Sequence, residues 1–308
     1  MSSGVAGVVD HGGAPQGSAP QGSAGGWQAR LELKFEASEA RTRLAHRRHH
    51  GPLVVQRIFH PEPRSQQGSL TAEPCHVYLL HPPGGVVSGD ELQLDVEVQT
   101  QAHALLTTPA AGKFYRRGAH IGGVPRVARL TQTLAVDDGV LEWLPQENIF
   151  YPDSAVQLCT RVTLSAGARF IGWEIGCLGL PASQASLGDG ALRQSFELWR
   201  GAAPLLLERL NIERSCLRAR WGLAGHSALG TWLAYPAGEQ PLALARATAA
   251  AMNCADLTLA CTLVDGALCC RGMAARADRL KQAFIDLWRA LRPQLLGRAA
   301  IAPRIWAT

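Results

Sequence analysis

Ala111-Gly112-Lys113 is the one place where this chain offers the Gly-Lys pair of a phosphate-binding loop. Such a loop needs a glycine five residues before that glycine and a Ser or Thr after the lysine, so that backbone N–H groups wrap the phosphate and the hydroxyl reaches a magnesium ion. Thr107 and Phe114 hold those positions, so the motif fails. Cys75 adjoins His76, but neighbours on a strand point to opposite faces, and a thiol flanked by apolar residues is usually inert core. The chain contains neither a Gly-x-Ser-x-Gly elbow nor a His-Glu-x-x-His helix, the frames that hydrolytic serine and zinc chemistry need. A thiol hydrolase using Cys75 with a distant histidine is the one enzyme reading these residues leave.

Metal binding stays open. Eight of the ten histidines fall between His46 and His120, beside Cys75, with no pair at a recognised chelating spacing. His46, His49 and His50 lie among Arg41, Arg43, Arg47 and Arg48. Those charges repel a divalent cation, and no adjoining carboxylate orients the imidazoles. The segment therefore reads as a solvated basic loop. Weak or transient binding of a borderline cation such as nickel is what the composition allows.

Three carboxylates stand out. Glu142 shares strand parity with Val140 and Leu144, Glu174 with Phe170, and Glu208 with Leu206 and Leu210. If those faces point inward, each charge is buried and costly unless compensated. Two resolutions remain: pairing with an arginine or backbone N–H groups, or a wet internal passage lined with acids.

The elements that must position these residues are mostly strands. Leu92, Leu94, Val96 and Val98 alternate with Gln93, Asp95, Glu97 and Gln99, the period of a half-buried strand. Pro82-Pro83-Gly84-Gly85 precedes them and suits a turn with Gly84 at positive φ. Similar short runs, separated by turn signals, cover residues 31–35, 126–136, 156–164, 168–176, 193–198, 204–210 and 257–264, the last entering a hairpin at Asp265-Gly266. This predicts a mainly β fold of stacked or coiled strands, β-helix-like or sandwich-like. Ala277, Leu280, Phe284, Leu287, Trp288 and Leu291 recur at helical spacing and predict a C-terminal amphipathic helix from about residue 274 to 291, ended by Pro293.

Residues 1–26 are Gly, Ala, Ser, Pro and Gln with almost no large apolar side chain, so they are expected to be a disordered tail before a single β-rich domain over 27–308. A net charge of +5 fits an acidic protein partner and is too weak to argue for nucleic acid. Eight scattered cysteines without a CxxC pair suit reduced thiols in the cytoplasm. No apolar run reaches membrane-spanning length.

The strings GPLVVQRIFHPE, CHVYLLHPPGGVVSGD, HALLTTPAAGKFYR, LEWLPQENIF, FIGWEI, LERL, WGLAG and GRAAIAPRIWAT occur in this order, within a match that runs from Trp27 to Thr308. Together they resemble the UreD (UreH) family of urease accessory proteins. Departures from the family pattern fall at Ser88, at Ile58 to Glu62, at Leu180, at Gln184-Ala185 and over Cys269 to Ala277. The resemblance implies a cytoplasmic scaffold or chaperone for nickel insertion that is not itself an enzyme. It would bind urease apoprotein, UreF and the GTPase UreG in a hetero-oligomer, with nickel only in transit and no resident cofactor. It further suggests Glu142, Glu174 and Glu208 along a nickel path with Asp90 near one mouth, and Leu280, Phe284, Trp288, Arg304 and Trp306 on a partner-facing surface. The rival reading is a generic β-rich binding module without a metal role, marked by an exposed aromatic platform.

Overall fold

A computed structural model describes residues 26–64, 71–118, 126–252 and 254–307. Apart from Gly26, the segment expected to be a disordered tail lies outside the described residues. The strands begin with β1 (Gln28–Ser38), β2 (Arg41–His50), β3 (Val54–Phe59), β4 (Cys75–Leu80), β5 (Glu91–Val98) and β6 (His103–Thr107). They continue with β7 (Gly112–Phe114), β8 (Ala128–Val136), β9 (Val140–Trp143), β10 (Asn148–Phe150), β11 (Ala155–Leu164) and β12 (Arg169–Leu178). Next come β13 (Ala191–Arg200), β14 (Ala203–Ile212), the short helix α1 (Arg214–Leu217) and β15 (Ala228–Tyr235). The chain closes with α2 (Glu239–Ala251), β16 (Leu257–Val264), β17 (Ala267–Ala274) and α3 (Ala277–Leu296).

Two sheets result. One has the order β14-β13-β11-β8-β5-β1-β2; the other runs β16-β17-β15-β12-β9-β6-β4-β3, with β10 bridging β12 and β7. Strands β5, β8, β11 and β13 pair in parallel on the first sheet, and β4, β6, β9 and β12 on the second. The chain therefore coils, laying successive strands alternately on one sheet and the other. Antiparallel strands finish both sheets at each end. The predicted mainly β, coiled architecture is what forms.

Alternation sorts the side chains into two apolar layers. Leu31, Leu94, Leu134, Val162, Phe170 and Phe196 belong to the layer between the sheets. Ile171, Trp173, Trp232, Leu280, Phe284 and Trp288 form a second layer between the outer face of the ten-stranded sheet and the helices. Each such large side chain contributes about 1.5–3 kcal/mol by leaving water. The predicted hairpin turn also forms, with Asp265 at φ 47° and Gly266 at φ 76°, the pair of positive values that matches strand twist.

Three expectations need correction. The segment read as a basic loop is strand β2: its backbone pairs with β1 while His46 to His50 stay exposed, so solvated side chains hid an edge strand. Helix α3 starts three residues later than predicted, because residues up to Ala274 belong to β17. It also runs through Pro293 to Leu296 and ends at Gly297 in the left-handed region. Buried Arg292, Leu295 and Leu296 hold that last turn against the sheet despite the N–H that proline lacks. Helix α2 has no strong sequence signal, since its alanine-rich stretch buries only Leu242 and Ala245.

Candidate functional site

Glu174 lies on the inward face of β12, directly opposite Thr231 of β15, which in turn faces Arg271 of β17. The other sheet sets Gln132, Thr160, Gln194 and Glu208 against them, from β8, β11, β13 and β14. A polar row thus crosses an otherwise apolar interior. The Thr160 hydroxyl bonds the Glu174 Oε1 and lies 2.8 Å from Gln132 Oε1. Gln194 Nε2 donates to Glu174 Oε2 at 2.5 Å.

Burial pushes the Glu174 carboxyl up, the hydrogen bonds from Thr160 and Gln194 pull it back, and the charge of Glu208 raises it again, leaving it at about 7. Hydrogen-bond arithmetic agrees. Thr160 has one hydroxyl proton for two oxygen neighbours, and a proton on Glu174 lets the carboxyl donate to Thr160 while Thr160 donates to Gln132.

Glu174 and Gln132 line a cavity of about 280 Å³ together with Leu94, Trp143 and the half-buried His81 and Lys113. Thr231, Glu208 and Arg271 line a second hollow, a groove of about 420 Å³. Arg271 Nε donates to Glu208 Oε1 at 2.7 Å. Glu208 Oε2 is buried without a protein partner. The row therefore links a cavity to a groove and contains two carboxylates, of which Glu174 titrates near neutrality.

Glu142 has a different setting. It shares the outer face of β9 with Val140 and Leu144, beneath α3. Arg292 donates to both its oxygens, at 2.8–3.1 Å, and also to Glu62 at 2.6 and 3.1 Å. Trp288 Nε1 adds a bond of 2.6 Å, and His103 Nε2 one of 2.7 Å. Burial raises the Glu142 carboxyl, but Arg292 and His103 outweigh it and hold the group well below the usual carboxylate range. Burial keeps His103 neutral in spite of Glu142, so its Nε2–H donates and its Nδ1 accepts from Thr71.

Asp90 is also fully engaged. Its oxygens accept the N–H groups of Trp27 at 2.8 Å and Val87 at 2.9 Å, clamping the turn before β5 to the start of β1. Of the partner-surface residues read from the sequence, Leu280, Phe284 and Trp288 are fully buried in the layer under α3. Arg304 is exposed, and half-buried Trp306 donates to Thr107 at 2.9 Å. The structure therefore brings Glu174 and Glu208 into one row and sets Glu142 and Asp90 apart from it. Thr160, Gln194, Gln132, Thr231 and Arg271 were missed. Their only signal was a polar residue at an inward position of an alternating strand.

Cys75 faces the interior, burial pushes its thiol up to about 12, and His76 bonds Glu62 at 2.8 Å on the opposite side. The two do not form a nucleophile and base. Among the described residues, no group of three or more His, Cys, Asp or Glu side chains is placed to hold a metal ion, and no helix is long and apolar enough to cross a membrane.

Comparison with known proteins agrees with the residue strings. The family model for the UreD urease accessory protein matches residues 28–307. The chain is 39% identical over 289 residues to the urease accessory protein UreD of Alcanivorax borkumensis, covering 92% of this chain and 93% of that one. It is 40% identical over 284 residues to the UreD of Pseudomonas putida, covering 92% and 95%. Identity to the UreD of Klebsiella aerogenes is 38% over 283 residues, covering 92% and 97%. With its coiled strands and its match along nearly the whole length, this chain belongs to the UreD family of urease accessory proteins.

Proposed function

We propose that this chain serves urease maturation as a nickel-escorting scaffold in the cytoplasm, holding apo-urease together with UreF and the GTPase UreG while the ion crosses its interior. The chain itself makes and breaks no covalent bond. The observation that carries this reading is the polar row from the cavity at Glu174 to the groove at Glu208. Nickel binds thiols and imidazoles tightly, so a transit path needs donors that admit the ion and release it. Two carboxylates with hydroxyl and amide oxygens are such donors. The cysteines bordering the inner layer, Cys75 and Cys269, have thiols that burial pushes up to about 12, which disfavours the thiolate that would trap the ion. Eight free cysteines suit a reducing compartment.

In this reading Glu174 and Glu208 contact the ion, Thr160 and Gln194 position Glu174, and Arg271 holds the Glu208 side chain in place through its Oε1. Glu142 fixes helix α3 to the sheet, and Asp90 shapes the loop beside the cavity. The test is deletion of the gene in a urease-positive cell, followed by metal analysis of the urease. The expected outcome is urease protein at normal level and free of nickel, restored by the wild-type chain. Fully metallated urease in the deletion strain contradicts the reading.

A further inference from the structure

The groove that ends the polar row carries the most exposed large apolar side chain among the described residues. Trp221 is 76% exposed and forms one wall. Leu210, Leu223 and Met273 contribute to the rest. The tryptophan is not on a loose tether. Leu223 N–H bonds the Cys216 carbonyl at 2.9 Å, Gly225 N–H bonds Leu217 O at 2.9 Å, and His226 N–H bonds Leu223 O at 2.8 Å. Next to it Gly222 lies so close to Cys216 that a Cβ there would stand 2.3 Å from the carbonyl oxygen. The turn after α1 is thus built to hold a large indole in water, which keeps apolar surface exposed that burial would stabilise.

Charge surrounds it unevenly. Arg209 is held by Glu197, Arg214 by Asp189 and Arg271 by Glu208. Arg218 and Arg220, immediately before Trp221, are exposed and have no ion-pair partner among the described residues. Against them the segment sets one unpaired exposed acid, Glu213. Inside the groove, the side chain of Glu208 is 10% exposed and its Oε2 lacks a donor. Tryptophan and arginine around a pocket are the composition of an interface anchor. The two neighbouring edge strands, β14 and β16, leave backbone groups unpaired beside it.

We propose that this groove docks an acidic segment of a partner protein that carries a large apolar side chain. The apolar group seats against Trp221, Leu210 and Met273, and the carboxylates meet Arg218 and Arg220, which leaves Glu208 Oε2 free for the ion. This deepens the scaffold reading and rests on it, because it places one protein contact at the Glu208 end of the row.

The test uses the full chain and three purified probes, apo-urease, UreF and UreG from the same cell, with affinities measured by biolayer interferometry at two salt concentrations. The expected result is that at least one probe binds the wild-type chain and binds Trp221→Ala about 30-fold more weakly. Arg218→Glu/Arg220→Glu should weaken the same complex and flatten its salt dependence. Both sets of substitutions are at exposed positions, so unchanged melting temperatures verify folding. If the wild type binds a probe and both variants bind it equally well, the docking proposal alone falls. If the wild type binds no probe, the scaffold reading falls and takes the proposal with it. Should Trp221→Ala instead abolish self-association seen by sedimentation and leave every probe untouched, the groove is a contact between copies and the acidic partner is wrong.

Discussion

Glu142 and Glu174 sit on adjacent strands of one sheet, β9 and β12, and each is buried. Glu142 points out of the coil into a layer closed by α3, where a guanidinium, an indole N–H and a neutral imidazole occupy its oxygens. Glu174 points into the coil, where it meets a hydroxyl and an amide and borders empty space. One is saturated by a cation and stays ionised. The other has only neutral partners and an acidic neighbour, and it titrates near pH 7. Burial by itself did not distinguish them. The kind of partner did, and it separates a residue that fastens the fold from the one assigned to the proposed passage.

The largest effect that would break this contrast is at Arg292. Replacing it by leucine leaves Glu142 and Glu62 buried without their cation, and the loss should be about 3–5 kcal/mol, read as a shift in the urea midpoint or as failure to accumulate soluble protein. A small loss would mean that the network is wetter than its geometry implies.

Next in size is the pH dependence, where the two glutamates act with opposite sign. Glu174 has a folded value near 7, above its ordinary 4.5. The native state therefore binds more protons than the unfolded chain between those limits, and stability falls as pH rises through the window, by about 3 kcal/mol in full. Glu142 is depressed, so its contribution is complete above its ordinary value and is lost as pH falls below about 4.5. Urea titrations at pH 5 and pH 8 should show Glu174→Gln removing most of the loss on going to pH 8. An unchanged difference would place Glu174 in a setting that keeps it ionised. The smallest effect serves as a control on α3: Arg289→Ala, on its solvent face beside Asp286, should change stability by less than about 0.5 kcal/mol.

Much of the coil was legible in the sequence because alternation is a local signal. Leu92 to Val98 declared both a strand and its inward face, and Asp265-Gly266 declared its own turn. Parity also marked Glu142, Glu174 and Glu208 as sharing a face with apolar neighbours. What parity cannot state is which layer covers that face, since Glu142 meets Arg292 from 150 positions away and only the return of α3 across the outer face of the sheet brings them together. The same limit hid the row around Glu174, whose members come from seven strands. Strand β2 was illegible for a different reason. An edge strand with both faces in water at His46 to His50 needs no apolar alternation, so its sequence looks like a loop. Pro293 misled because its cost is local, while the burial that overrides it comes from the sheet below.

The most direct test of the central claim is the nickel content of urease purified from cells whose only copy of this chain carries Glu174→Gln and Glu208→Gln, expressed at the wild-type level. The passage account predicts urease protein in normal amount with nickel reduced at least tenfold, while Glu208→Gln alone gives an intermediate value. Nickel at the wild-type content in the double variant would contradict it.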